Sequence, residues 1–166
     1  MKYSIFDFDD TLVKTDAKVV VFGKRGRKEL SSAEWATYKK QPSDRFDFLQ
    51  FDSLINPRAI PKYLSKLKDV VRTNNGKAII LTARSVVKPV AKFLRDAGIV
   101  GGVKIAAINS NNPDDKRIYI EKMINDRGAT DIEFYDDSQK NISAVQTLIK
   151  KYPQVKFRIE HVQSVH

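Results

Sequence analysis

Apolar residues in this chain collect in short dense runs, separated by longer stretches in which apolar and polar positions mix. The dense runs are YSIFDF (3–8), KAIILT (77–82), VKIAAI (103–108), DIEFYD (131–136) and VKFRIE (155–160). Each is rich in β-branched or aromatic residues and bounded by turn formers, which predicts a buried strand. Between them the pattern predicts helices. Asn56-Pro57 reads as an N-cap followed by proline at the first helical position, opening a helix to about Asn75-Gly76. Further helices are expected from Val86 to Ala97, closed by Gly98, and from Asp114 to Asp126, closed by Arg127-Gly128. A last one is expected from Ser138 to Lys151, stopped by Pro153. Strands alternating with helices require right-handed crossovers and a parallel sheet. The expected fold class is therefore α/β: one three-layer, Rossmann-like domain of about five strands over residues 1–166.

One segment breaks the alternation. Residues 13 to about 55 carry VVVF (19–22), the basic turn GKRGRK (23–28) and Ser31-Ser32-Ala33-Glu34. The last has the S-x-x-E form of a capping box and predicts a short helix through Trp35 and Tyr38. Phe46-Asp47-Phe48-Leu49-Gln50-Phe51 then alternates in the manner of a half-exposed strand. The segment reads as a small flap, or cap, inserted after the first strand, a hairpin with a helical element.

Composition narrows the class. An apolar fraction of 42% and a charged fraction of 30% describe a globular chain, and the absence of cysteine excludes disulfides and thiolate metal sites. No run approaches the roughly 20 apolar residues of a membrane span. The first strand begins almost at the amino terminus, so no signal peptide is expected and a cytoplasmic location fits. Thirty Lys and Arg against twenty Asp and Glu leave a net charge of +10. A surface this basic attracts polyanions, nucleic acid or a phosphorylated ligand among them.

Against that basic background the negative charge is concentrated. Asp7, Asp9 and Asp10 follow the first apolar run, and Asp136-Asp137 ends the fourth. Ligands of open α/β sheets bind outside the carboxyl ends of the strands, where a parallel sheet brings these five acids to one edge. Such a cluster repels itself unless a cation sits among them. Carboxylates with no His or Cys nearby select a hard ion, and Mg²⁺ suits them better than zinc.

Asp7-Phe8-Asp9-Asp10-Thr11 resembles the D-x-D-x-T signature of the haloacid dehalogenase superfamily of phosphohydrolases. Thr82, past the second strand, resembles that family's second motif, and Lys116 resembles its third. Asp136-Asp137-Ser138-Gln139-Lys140-Asn141 resembles the fourth. The likeness spans roughly residues 1–150, with Asp10 standing where glycine is usual. It implies that Asp7 attacks phosphorus to form an aspartyl-phosphate, and that Asp9 protonates the leaving oxygen and then activates water. It also implies that Mg²⁺ is held by Asp7, the Asp9 carbonyl and the pair Asp136 and Asp137. Thr82 and Lys116 would bind phosphoryl oxygens, with Lys104 and Arg117 as substitutes for the lysine. Thr11 would assist in holding the substrate, and Asn141 would orient a carboxylate. Arg84 would either clamp the phosphate or pair with a neighbouring acid.

The small flap and Asn56-Pro57 are also similar to the phosphatase domain of polynucleotide kinase-phosphatases. Lys24, Arg25, Arg27 and Lys28 on the flap would then steer a nucleic-acid end, unless they are simply a solvated loop. Trp35 and Tyr38 would stack on a base or pack the flap. The expected function is a Mg²⁺-dependent phosphatase of a nucleic-acid end or nucleotide. The alternatives are a phosphatase of a small metabolite or phosphoprotein, and a non-catalytic module binding nucleic acid or protein.

Overall fold

The computed structural model describes residues 1–163; residues 164–166 of the expected domain lie outside the described residues. Its centre is a five-stranded parallel sheet of β1 (Lys2–Phe6), β7 (Lys77–Thr82), β8 (Val103–Ala107), β9 (Asp131–Asp136) and β10 (Lys156–His161). The order across it is β10-β9-β1-β7-β8. All five expected strands form, each within a residue or two of its expected limits.

Successive side chains of a strand point to opposite faces, and the core divides accordingly. Phe6 and Ile80 pack on one face with Tyr63, Leu67, Val90 and Phe93, from α2 (Pro61–Thr73) and α3 (Lys88–Asp96). Tyr3, Ile5, Ile79 and Leu81 pack on the other with Ile120, Met123, Val145 and Leu148. These last four come from α4 (Pro113–Arg127) and α5 (Gln139–Lys151). Two helices on each face make three layers. Because both faces are covered at the centre of the sheet, β1 and β7 read as nearly continuous apolar runs, whereas the edge strand β10 alternates apolar and charged residues. Gly76, before β7, is required by space: a Cβ there would lie 2.7 Å from the Lys2 carbonyl oxygen.

The expected helix at Asn56-Pro57 begins later, at Pro61. Asn56 adopts a left-handed φ of 48°, and β6 (Arg58–Ala59) pairs antiparallel with β2 (Val13–Lys14). A left-handed residue and a strand pair cannot belong to an α-helix, so the second proline takes the first helical position. No helix among the described residues is long and apolar enough to cross a membrane.

Between β1 and α2 the chain builds a second, three-stranded antiparallel sheet, ordered β4-β3-β5. Its hairpin joins β3 (Lys18–Gly23) to β4 (Gly26–Ser31) through Lys24-Arg25, and Gly26 takes the positive φ of 104° that this turn needs. The capping box forms as expected, with Ser31 and Glu34 bonding reciprocally at the start of α1 (Ser32–Thr37). The stretch 46–51 is extended only in its first part, within β5 (Arg45–Asp47). The Asp47 side chain accepts the Leu49 N–H at 2.8 Å and turns the chain into a 3₁₀ segment, Leu49–Asp52.

Candidate active site

The chain runs outward from β1 to β7 and β8, then returns to place β9 on the other side of β1. The switch point of the sheet therefore lies between β1 and β9, where α/β sheets open a crevice at their carboxyl ends. Asp7 follows β1 there, its N–H bonded to the Tyr135 carbonyl at 2.9 Å, and Asp136-Asp137 ends β9.

Asp7, Asp136 and Asp137 each offer a ligand oxygen, and these atoms lie within 4.8 Å of one another. Lys116 reaches them from the first turn of α4. Its Nζ donates to Asp7 Oδ1 at 2.9 Å and to Asp136 Oδ2 at 2.8 Å, and the residue is only 2% exposed. Asp136 also accepts from Asn141 Nδ2 at 3.1 Å and from the Ser138 N–H at 2.8 Å. Asn141 thus orients a carboxylate, and its position follows from Ser138 capping α5. Thr11 Oγ1 donates to Asp7 Oδ2 at 3.3 Å and is fully buried, so it holds Asp7 from below rather than facing a substrate.

Electrostatics decides what this cluster wants. Burial alone would lower the Lys116 ammonium, but Asp136 and Asp7 outweigh it and hold the pKa above the usual lysine range. Burial and the Asp7 charge raise Asp136 and Asp137 as well, which for a carboxyl favours the neutral, protonated form. With all three carboxyls ionised, one ammonium would leave two negative charges in a water-poor site, and the raised Asp136 and Asp137 values are the response to that repulsion. An all-oxygen donor set with that residual charge fits a hard divalent cation such as Mg²⁺.

Asp9 takes no part in that trio. Arg84 grips it with both nitrogens of one fork, Nε to Oδ2 at 2.9 Å and Nη2 to Oδ1 at 2.8 Å. The same guanidinium donates to the Phe51 and Ser53 carbonyls at 2.6 and 3.0 Å and lies between the Phe8 and Phe51 rings. Of the two roles open to Arg84, pairing with an acid is the one observed. Thr82 is buried, and its Oγ1 accepts the Arg84 N–H at 3.1 Å. Asp10 occupies the glycine-like position with φ 64°, tied to the flap by the Ser32 hydroxyl.

A cavity of about 400 Å³ opens above these groups, bounded by Asp7, Asp9, Arg84, Lys116 and Asp137. Trp35 and the flap phenylalanines form another wall, and Lys40 and Lys140 add positive charge. Lys24, Arg25, Arg27 and Lys28 do not line it: Arg27 pairs with Glu29, and Lys28 lies over the Tyr38 ring. Of the substitutes for Lys116, Lys104 sits exposed on β8 and Arg117 pairs with Glu121. Lys40, Lys140, Phe48 and Asn109 escaped the sequence reading. The polar run Asn109-Ser110-Asn111-Asn112 after a parallel strand was the one signal that could have found the last.

The fold and site define an α/β protein with a carboxylate–lysine cluster at its switch point. No family model matches the chain, and no curated protein matches it.

Proposed function

We propose that the chain is a Mg²⁺-dependent phosphomonoesterase of the haloacid dehalogenase type. The observation that carries this reading is the convergence of Asp7, Asp136 and Asp137 around Lys116 at the switch point. Asp7, Asp136, Asp137 and the Asp9 carbonyl are the groups that would hold Mg²⁺. Bound there, the ion would offset the repulsion between carboxylate and phosphate and polarise a phosphoryl oxygen.

In this reading an Asp7 oxygen forms a bond to phosphorus as the bond to the leaving oxygen breaks, and the leaving oxygen takes a proton from Asp9. Asp9 then accepts a proton from water as that water's oxygen attacks phosphorus. The Asp7–phosphorus bond breaks, Asp7 is again a carboxylate, and inorganic phosphate leaves. Thr11 and Lys116 keep Asp7 in one orientation for attack, and Lys116 offsets charge on the phosphoryl group. Thr82 is as buried as Thr11 and does not line the cavity, so in place of the phosphoryl contact expected of it, it positions Arg84 by accepting that residue's N–H. Asp9 enters the reaction when one of its oxygens exchanges Arg84 for the leaving group.

The test is hydrolysis of p-nitrophenyl phosphate with Mg²⁺, in EDTA, and by Asp7→Asn. Turnover with Mg²⁺ alone, lost in EDTA and in the variant, is expected. Full activity in EDTA or in Asp7→Asn would overturn the reading. The Arg84–Asp9 pair favours one other reading, because it leaves the acid engaged as a purely binding module would allow. Absence of turnover on any phosphomonoester, with Mg²⁺ still raising the melting temperature, is its signature.

A further inference from the structure

The cavity above the carboxylates has two unlike walls. The flap supplies Trp35, Phe46, Phe48 and Phe51, and the core supplies the amides of the loop before α4. Phe46 and Phe48 meet Trp35 edge-on, with ring centres 4.8 and 5.2 Å away. Phe48 is 44% exposed and stands outside the flap's apolar core of Val19, Val21 and Leu30. A ring left open on a cavity wall adds little to folding, so its value lies in what enters the cavity.

The cations on this wall are also uncommitted to acids. Lys40 Nζ lies 5.1 Å from the Trp35 ring centre and donates to Asn111 Oδ1 at 3.3 Å, linking flap and core. Among the described residues neither Lys40 nor Lys140 has a carboxylate partner. Asn109, exposed with a left-handed φ of 52°, makes no side-chain hydrogen bond among them either.

We infer that the phosphomonoester this site takes is a nucleoside monophosphate. The inference rests on the phosphomonoesterase reading and names its leaving group. With the phosphate at Asp7, the base lies against Trp35 and Phe48. Its polar edge meets the Asn109 and Asn111 amides, which both donate and accept, as base edges do. Lys40 now covers the Trp35 face with a cation; when a base takes that face, the ammonium is released to a phosphate oxygen. The volume of about 400 Å³ fits one nucleotide, within the range of roughly 300–1,000 Å³ usual for small-molecule sites. The basic hairpin turn, which a long polynucleotide would need, lies off this wall.

Trp35 is the only tryptophan of the chain, so its fluorescence reports the base site independently of turnover. The experiment titrates the full chain with AMP, GMP, CMP and UMP, with ribose 5-phosphate as the control that lacks a base. In parallel it compares kcat/KM for the nucleotides and glycerol phosphate. Saturable quenching by at least one nucleotide and none by ribose 5-phosphate is expected. Phe48→Ala, checked for an unchanged far-UV spectrum, should raise the nucleotide Kd about tenfold, the loss of one aromatic stacking partner. The preference for nucleotide over glycerol phosphate should fall by a similar factor. Quenching without hydrolysis would keep the base site and sink the phosphatase reading. Hydrolysis of p-nitrophenyl phosphate without nucleotide quenching would do the reverse. Quenching by a phosphorylated oligonucleotide but by no mononucleotide would overturn the inference in favour of a polynucleotide end.

Discussion

Lys116→Met is the substitution whose cost the site geometry lets one calculate. Methionine keeps most of the side-chain volume but removes the ammonium that bonds Asp7 and Asp136 at 2.9 and 2.8 Å. Breaking a buried pair by deleting one partner costs about 3–5 kcal/mol. An upper limit follows from protonation. The cluster can escape its extra charge by binding one proton, and moving a carboxyl from an ordinary pKa near 3.9 to pH 7 costs about 4 kcal/mol. The two figures agree. At roughly 2–4 °C per kcal/mol for a chain of this size, the variant should melt about 10 °C below the parent at pH 7 in EDTA.

The pH dependence gives the sharper check. In the parent, burial and the Asp7 charge raise Asp136 and Asp137 while Lys116 holds Asp136 down; without the ammonium the carboxyls of the cluster rise further. The folded state therefore binds more protons than the unfolded chain, and stability falls as pH rises. The stability they contribute is complete below the unfolded value near 4 and is lost as pH climbs through the raised folded values. The penalty of Lys116→Met should accordingly shrink by about 1.4 kcal/mol per pH unit, to about 1.5 kcal/mol at pH 5. Mg²⁺ should restore more stability to the variant than to the parent, because it meets a larger uncompensated charge. Thermal melts by circular dichroism at pH 5 and 7, with EDTA and with Mg²⁺, make the measurement. A variant that melts within about 2 °C of the parent at pH 7 would refute the charge accounting. So would an equal deficit at both pH values.

Arg84→Met should cost about 2–4 kcal/mol, since it leaves Asp9 and the Phe51 and Ser53 carbonyls without their shared donor. Amide hydrogen exchange should quicken across 49–53 ahead of the central strands; uniform exchange throughout the chain would contradict a flap tether. Neutralising Lys24, Arg25, Arg27 and Lys28 together should leave kcat/KM for p-nitrophenyl phosphate within about twofold, as expected of surface changes away from the site. A loss beyond tenfold would place the basic turn at the reaction after all.

Much of this architecture is written in local pattern. The central strands β1 and β7 are buried on both faces and must be apolar along their length. The edge strands β8 and β10 keep enough β-branched and aromatic residues between turn formers to be legible from short windows. The acids Asp7, Asp136 and Asp137 were legible together because a parallel sheet delivers strand ends to one edge whatever the side chains do. The capping box at Ser31 and Glu34 involves residues three apart and needed nothing distant. What depends on contact between remote segments was not legible. Asn56-Pro57 and Ile60-Pro61 look alike as helix openings; only the pairing of Arg58–Ala59 with Val13–Lys14 selects the second. The resemblance already pointed to Lys116, but as charges Lys116, Lys104 and Arg117 are equivalent, and only the packing of α4 beside the sheet brings Lys116 to Asp7 across 109 positions. The same holds for Arg84, which turns to Asp9 across 75 positions. It holds also for Lys40, which the fold of the flap sets over the cavity while the more conspicuous basic turn points elsewhere. Composition records how much charge a chain carries, but a charge acts over a few ångströms in a buried site, and that distance is set by tertiary packing.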